Sequence, residues 1–329
     1  MKVLLTRPEL FNKTGIHLLR KYFEVKDHIR GPMNKEELLS QVTDVHAIIL
    51  PWQTEIIDKS IIEKAKYLKT IARVGVGYEN IDVECATEYG IMVTYCAVHI
   101  PTVADNAFGL ILCLARRISV ADAFVKSGKW PDIGTKAAFN FIGFDIHHKT
   151  LGVIGLGRLG LEIAKRAKGF DIQVLYWDIA KKDEEEKALN INRASLEELL
   201  RKSDFVVICC PLNRETYHLV DASKLEMMKP KAFIINTARG GIVDEVALYE
   251  ALTKKRIAGA GLDVFEKEPI GKEYPILKCE NVVLTPHTGA HTYEANENMA
   301  VTTAMEVIKA LQGGKPNYLI NPEVCKRNL

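Results

Sequence analysis

The chain has 329 residues, of which 47% are hydrophobic, 26% charged and 8% aromatic. At roughly 100–200 residues per domain, this length predicts two domains or one large α/β unit, and the composition excludes a largely disordered chain. With 44 Lys and Arg against 42 Asp and Glu, the formal charge is +2, so there is no basic surplus to neutralise a row of phosphates and nucleic acid is not expected as a partner.

The first apolar run, Val3-Leu4-Leu5, is too short for a signal-peptide core. No run approaches the roughly 18 apolar residues of a membrane span. A cytoplasmic protein without membrane association is therefore expected. The seven cysteines are odd in number and scattered, with no CxxC or Cys/His cluster. They are expected as reduced thiols, with no metal site.

Short apolar runs alternate with helical patterns. Val3–Leu5 leads into an amphipathic segment at Ile16–Tyr22, and Ala47–Leu50 precedes a helix near Lys59–Lys66. Thr70–Val74 is followed by a helix near Val83–Tyr89 and by Ile91–Thr94. Continuous apolar strands separated by helices predict parallel strands covered on both faces. One long helix is predicted from Thr102 to Val125, opened by Pro101, and a turn-rich stretch follows at Ser127–Gly134. The alternation restarts at Thr150–Ile154, Gln173–Trp177, Phe205–Cys209, Ala232–Ile235, Ile257–Leu262 and Asn281–Leu284. Two α/β units divided near residue 100 are expected. A last helix, Thr292–Leu311, lies beyond the final strand, and periodicity leaves open whether it packs back on the first unit. The charge run Lys181–Lys187 reads as a solvated loop or helix face.

Gly155, Gly157 and Gly160 form a GxGxxG pattern between a predicted strand and a predicted helix, the context a dinucleotide site requires. Gly155 allows the tight turn, Gly157 the approach of a pyrophosphate, and Gly160 close helix–sheet packing. The anion then sits against the helix N-terminus beside Arg158 and Leu159. Asp178 ends the next strand, 18 positions after Gly160. A carboxylate there accepts bonds from the adenosine ribose and repels a 2′-phosphate, which points to NAD rather than NADP.

Three further stretches place reactive side chains just after predicted strands. They are Ile235–Gly241, Gly261–Pro269 and Leu284–Ala290, which offer Arg239, Glu268 and His287. Arginine can bind a carboxylate through its planar fork, and histidine can exchange a proton with a carbonyl oxygen. A carboxylate beside that histidine favours the imidazolium and orients the ring. Hydride transfer between nicotinamide and a 2-oxo acid needs this set.

These motifs, in this order, make the sequence resemble the D-2-hydroxyacid dehydrogenase family from about residue 45 to residue 312. The resemblance implies two Rossmann-like α/β domains, flavodoxin-like plus NAD-binding, with parallel sheets and a cleft between them. The substrate-binding domain would comprise residues 1–100 and 291–329, and the NAD-binding domain residues 101–290. It implies Arg239, Glu268 and His287 as the catalytic set, and the backbone of Val76 and Gly77 as a second hold on the substrate carboxylate. It also implies cofactor contacts at Pro211, Thr216, Thr237, His287 and Gly289, with Asp263 at the nicotinamide carboxamide. A homodimer through the helix after residue 100 is implied as well.

The Phe141–Asp145 and Lys149–Gly152 stretches resemble the linker of glyoxylate and hydroxypyruvate reductases, so a small 2-oxo acid is the expected substrate. Phosphoglycerate dehydrogenase activity is the alternative. Phosphite dehydrogenases carry a lysine where this chain has Val76, and formate dehydrogenases pair the histidine with glutamine where this chain has Glu268. An NADH-sensing corepressor-like scaffold is the rival of another class. Tyr95, Asp105 and His291 depart from the common family pattern.

Overall fold

The computed structural model describes residues 1–27 and 31–327. Internal contacts divide the chain into two compact units, Met1–His99 with His291–Leu329, and Ile100–Ala290.

The first unit holds five parallel strands: β1 (Lys2–Leu5), β2 (Glu24–Lys26), β3 (Ala47–Leu50), β4 (Thr70–Arg73) and β5 (Met92–Thr94). Their order is β2-β1-β3-β4-β5, with Val3 opposite Ala47 and Ile48 opposite Ile71. The central strands are buried on both faces almost throughout, β1 and β3 through runs of Val, Leu, Ile and Ala, and β4 through Ile71 and Ala72 flanked by buried Thr70 and Arg73. Side-chain caps from Asn12, Asn34, Asp58 and Asp82 start the surrounding helices. The last helix, Tyr293–Leu311, is capped by Thr292. It lays Ala300, Ala304, Val307 and Leu311 against Val3, Leu5, Leu19 and Ile49, which completes one face of this sheet.

The second unit holds seven parallel strands: β6 (Thr150–Ile154), β7 (Gln173–Trp177), β8 (Asn192–Arg193), β9 (Phe205–Ile208), β10 (Phe233–Asn236), β11 (Gly259–Leu262) and β12 (Val282–Leu284). Their order is β12-β11-β10-β9-β6-β7-β8. The chain therefore winds outward from β6 in one direction and, after crossing over, outward from β9 in the other. The carboxyl ends of β6 and β9 mark the switch point, where open parallel sheets form their crevice. One face is covered by the helices Ile100–Arg116 and Arg158–Lys168 through Ala104, Phe108, Ile111, Ile163 and Ala167. The other is covered by Leu196, Leu199, Leu225 and Leu248 from three shorter helices.

The single helix expected over Thr102–Val125 is two helices, Ile100–Arg116 and Ile118–Lys126. Arg117 sits between them in the left-handed conformation, with φ of 54°. The cause is a distant one. The N–H of Phe144 donates to the Ala115 carbonyl at 2.7 Å, and Gly143 passes so close that a Cβ there would lie 2.2 Å from the same oxygen. The returning chain thus takes an acceptor that the continuing helix would have used. The charge run at Lys181–Lys187 leads into a helix, Asp183–Leu189, with four acids in its first turn, where they complement the helix dipole.

Candidate active site

The crevice of the second unit begins where β6 ends. Gly155 has a φ of +95°, and a Cβ on it would stand 2.7 Å from the Cys210 nitrogen. A Cβ on Gly160 would stand 2.2 Å from the Gly155 carbonyl oxygen. The packing of the chain itself demands glycine at both positions. Gly157 is different: it caps the helix Arg158–Lys168 in an extended conformation, and a Cβ there would meet nothing within 4 Å. The first-turn N–H groups of that helix lack intrahelical acceptors and, with the helix dipole, favour an anion in this open space. Asp178, just after β7, accepts the Leu156 N–H at 2.7 Å on one oxygen and the Ala180 N–H at 3.1 Å on the other. It therefore braces the glycine loop as well as presenting its carboxylate there.

Three strand-end loops, after β10, β11 and β12, carry the reactive side chains. After β10, Asn236 is buried, accepts from the Ala238 N–H and donates to the Arg239 carbonyl at 2.8 Å. This folds the loop that presents Arg239. Gly240 follows, and a Cβ on it would fall 1.9 Å from the Phe265 carbonyl carbon, so the β10 loop lies directly against the β11 loop. In the β11 loop, Glu268 accepts the Phe265 N–H at 2.9 Å. Its other oxygen meets His287 Nδ1 from the β12 loop at 2.6 Å. Both side chains are about one quarter exposed, at 27% and 25%. Burial works against ionised Glu268. The bond and charge of His287, the Phe265 N–H and the nearby Arg239 outweigh it, and the carboxyl titrates below its usual range. The contact engages Nδ1 of the imidazole ring.

Asp263 is 2% exposed and organises the β12 loop from beneath. Its carboxylate accepts from the Thr285 hydroxyl at 2.5 Å and from the N–H groups of Thr288 and Gly289, each at 2.8 Å. Its own carbonyl accepts the His287 N–H at 2.9 Å. His287, held this way, has a φ of 55°. Such a conformation is uncommon for a residue with a side chain and is maintained only by the bonds around it.

Comparison with known proteins gives the family. Residues 108–289 match the family described as D-isomer specific 2-hydroxyacid dehydrogenase, NAD binding domain. The chain belongs to the D-isomer specific 2-hydroxyacid dehydrogenase family. It is 46% identical to a glyoxylate reductase of Pyrococcus horikoshii, over 99% of this chain and 97% of the relative. The structure of the TT0316 protein from Thermus thermophilus has a TM-score of 0.88 at 35% identity, covering 97% of this chain and 100% of that one. An acyclic imino acid reductase solved with NADPH and D-Arg has a TM-score of 0.86 at 31% identity, over 97% of this chain and 100% of that one.

This dehydrogenase is an oxidoreductase using a nicotinamide cofactor, and two features of the second unit fit such a group. The empty space over Gly157 leaves room that a side chain would fill. The Thr237 hydroxyl, at the end of β10, is buried without a hydrogen-bond partner among the described residues. Pro211 and Thr216 lie together after β9, where the Thr216 hydroxyl donates to the Pro211 carbonyl at 2.6 Å. In the first unit, Val76 and Gly77 follow β4 in a loop shaped by buried Arg73. The Arg73 guanidinium donates to the carbonyls of Gly77, Leu50 and Val74 at 2.7–2.8 Å. Neither the Val76 nor the Gly77 N–H has a backbone acceptor among the described residues. Trp52 meets His291 edge-on, with ring centroids 6.0 Å apart. Asp105 pairs with Arg166 at 2.6 Å.

Sequence reading missed Asn106, whose side-chain amide is buried without a partner among the described residues. A Cβ on Gly289 would approach it to 3.4 Å. Its signal was a polar residue interrupting an otherwise apolar helix face. Among the described residues, no group of three or more His, Cys, Asp or Glu side chains could hold a metal ion. No helix there is long and apolar enough to cross a membrane.

Proposed function

We propose that the protein reduces a small 2-oxo acid of the glyoxylate or hydroxypyruvate type to its D-2-hydroxy acid, with NADH as the cofactor. The observation that carries the reading is the 2.6 Å contact of His287 Nδ1 with Glu268, beside the loop that presents Arg239. Arg239 takes the substrate carboxylate through its fork. His287 gives its Nε2 proton to the carbonyl oxygen, and Glu268 fixes the ring and stabilises its charged form before the transfer. Bound NADH supplies the hydride that the carbonyl carbon accepts. Gly155, Gly157, Arg158, Leu159 and Gly160 would hold its pyrophosphate, Asp178 its adenosine ribose, and Pro211 and Thr216 its adenosine side. Thr237, Asp263, His287 and Gly289 complete the cofactor contacts, with Asp263 at the nicotinamide carboxamide.

In this reading the unit Ile100–Ala290 is the NAD-binding domain, and the unit formed by both chain ends binds substrate. The reductase name of the Pyrococcus horikoshii relative supports the substrate class. A homodimer belongs to the same proposal. The helix Ile118–Lys126 has no buried residue, and Ile118, Val120, Val125, Trp130, Phe139 and Ile142 form an exposed apolar set in and after it. Solvent-facing apolar side chains concentrated this way mark a protein interface, and light scattering should return a two-chain particle.

The deciding experiment follows NADH and NADPH absorbance with glyoxylate, hydroxypyruvate, pyruvate, phenylpyruvate and phosphohydroxypyruvate. The highest kcat/KM should fall on glyoxylate or hydroxypyruvate with NADH. A preference for phosphohydroxypyruvate would reassign the substrate to the phosphoglycerate branch. No turnover on any of them, with NADH binding intact, would sink the enzymatic reading.

A further inference from the structure

The helix Glu245–Thr253 carries an acid that its own capping does not require. Asp244 is the cap, accepting from the Val246 and Ala247 N–H groups at 3.0 Å each. Glu245, the next residue, turns away from the helix end. One of its oxygens accepts the Glu266 N–H at 2.9 Å, and the other accepts the Tyr274 hydroxyl. Two consecutive amides of the β11 loop are therefore held by two carboxylates: Phe265 N–H by Glu268 and Glu266 N–H by Glu245. The same Phe265–Glu266 peptide abuts Gly240, with 1.9 Å and 2.2 Å to the Cβ that glycine lacks. Whatever holds that peptide fixes the spacing of the Arg239 loop from the loop that carries Glu268.

We propose that Glu245, clamped by Tyr274, is a positioning residue for the reduction: it pins the Phe265–Glu266 peptide so that Glu268 meets His287, and it places negative charge behind that pair. The inference rests on the reading of Glu268 and His287 given above. Other charged groups face the same turn. Glu266 pairs with His218 from the β9 loop, whose second ring nitrogen lies 3.8 Å from Asp244. Arg239 faces Glu268 from the β10 loop. Glu245 is thus one of four acids around this turn, with Asp244, Glu266 and Glu268, and is held by an amide and a hydroxyl.

Keeping it ionised carries a cost. Burial pushes the Glu245 carboxyl up, its bonds to Tyr274 and Glu266 pull it back, and the neighbouring charges of Glu266 and Glu268 add to the rise. An acid whose folded value is raised stabilises the fold only below its unfolded value, and that contribution is lost as pH rises through the folded one. At neutral pH, Glu245→Gln therefore leaves the fold as stable or more stable. A charge kept against stability is what a functional role leaves behind.

The test compares wild type, Glu245→Gln and Tyr274→Phe by melting temperature, NADH affinity, steady-state kinetics with glyoxylate, and NMR titration of the His287 ring, assigned with His287→Asn. In Glu245→Gln the His287 titration midpoint should move down, because a negative charge behind its Glu268 partner is lost. kcat should fall about 10- to 100-fold, the range set by misplacement of a reacting group. NADH affinity and melting temperature should hold. Tyr274→Phe should act in the same direction with a smaller effect. An unmoved His287 midpoint overturns the proposal, as does a loss of kcat matched by losses of NADH affinity and melting temperature. The NMR arm needs no turnover, so an inactive wild type would retire the substrate assignment while the midpoint still decides on Glu245.

Discussion

Gly157 and Gly160 make opposite predictions about the same substitution. An alanine methyl at Gly160 would sit 2.2 Å from the Gly155 carbonyl oxygen, well inside ordinary contact. The helix Arg158–Lys168 and the β6 turn would have to separate by about 1 Å, an overpacking that costs about 1–3 kcal/mol. In a unit of this size that lowers the melting temperature by about 2–12 °C. At Gly157 the methyl meets nothing within 4 Å, and the backbone conformation is one alanine adopts readily. Losing a glycine cap costs under about 1 kcal/mol, so the melt barely moves. The methyl does fill the space a pyrophosphate must enter. Displacing it from one charge-assisted N–H bond costs about 1.5–3 kcal/mol, or about 10- to 150-fold in Kd. NADH titration by fluorescence, with thermal melts of both variants, separates the cases. Gly157→Ala should lose affinity with stability retained, and Gly160→Ala should lose both. Wild-type NADH affinity in Gly157→Ala would refute the idea that the cofactor passes over that residue.

His287→Asn should lower kcat by orders of magnitude with NADH affinity retained, read by steady-state kinetics beside a binding titration. Near-normal turnover would remove the ring from the chemistry. Asp178→Ala should weaken the preference for NADH over NADPH, and because Asp178 also holds the Leu156 N–H it should cost some affinity for both. Glu268→Gln should separate from wild type in a pH-dependent way. The Glu268 carboxyl is depressed from its ordinary value of 4.5, so the stability it contributes is fully present above that value and is lost as pH falls through the folded one. Melts at descending pH should show the wild-type advantage shrinking only on the acid side of 4.5.

Each feature was legible to the extent that its cause lies nearby in the chain. The central strands announced themselves because a strand covered on both faces must be apolar throughout, as Ala47–Leu50 and Phe205–Ile208 are. The edge strands Glu24–Lys26 and Asn192–Arg193 carry mostly exposed or partly exposed polar side chains and gave no such signal. The glycine loop was readable because the positive φ of Gly155 and the close approach of Gly160 to the Gly155 carbonyl are demands made within the loop itself, whereas the Cys210 nitrogen that also crowds Gly155 comes from far along the chain. The break at Arg117 was not, since its cause is a hydrogen bond from Phe144, far along the chain. The same division runs through the candidate site. Arg239, Glu268 and His287 stood out as reactive residue types after strand ends, and the structure adds the His287–Glu268 contact that makes two of them a pair. The family resemblance implies Asp263 as a cofactor contact; its bonds to Thr285, Thr288 and Gly289 show it building the loop beneath His287. Glu245 gives no signal in the sequence because its partners, Glu266 and Tyr274, lie 21 and 29 residues away. Spacing along a sequence exposes the groups that do chemistry on a strand end; the groups that hold them in place answer to contacts across the sheet, and only the folded chain brings those together.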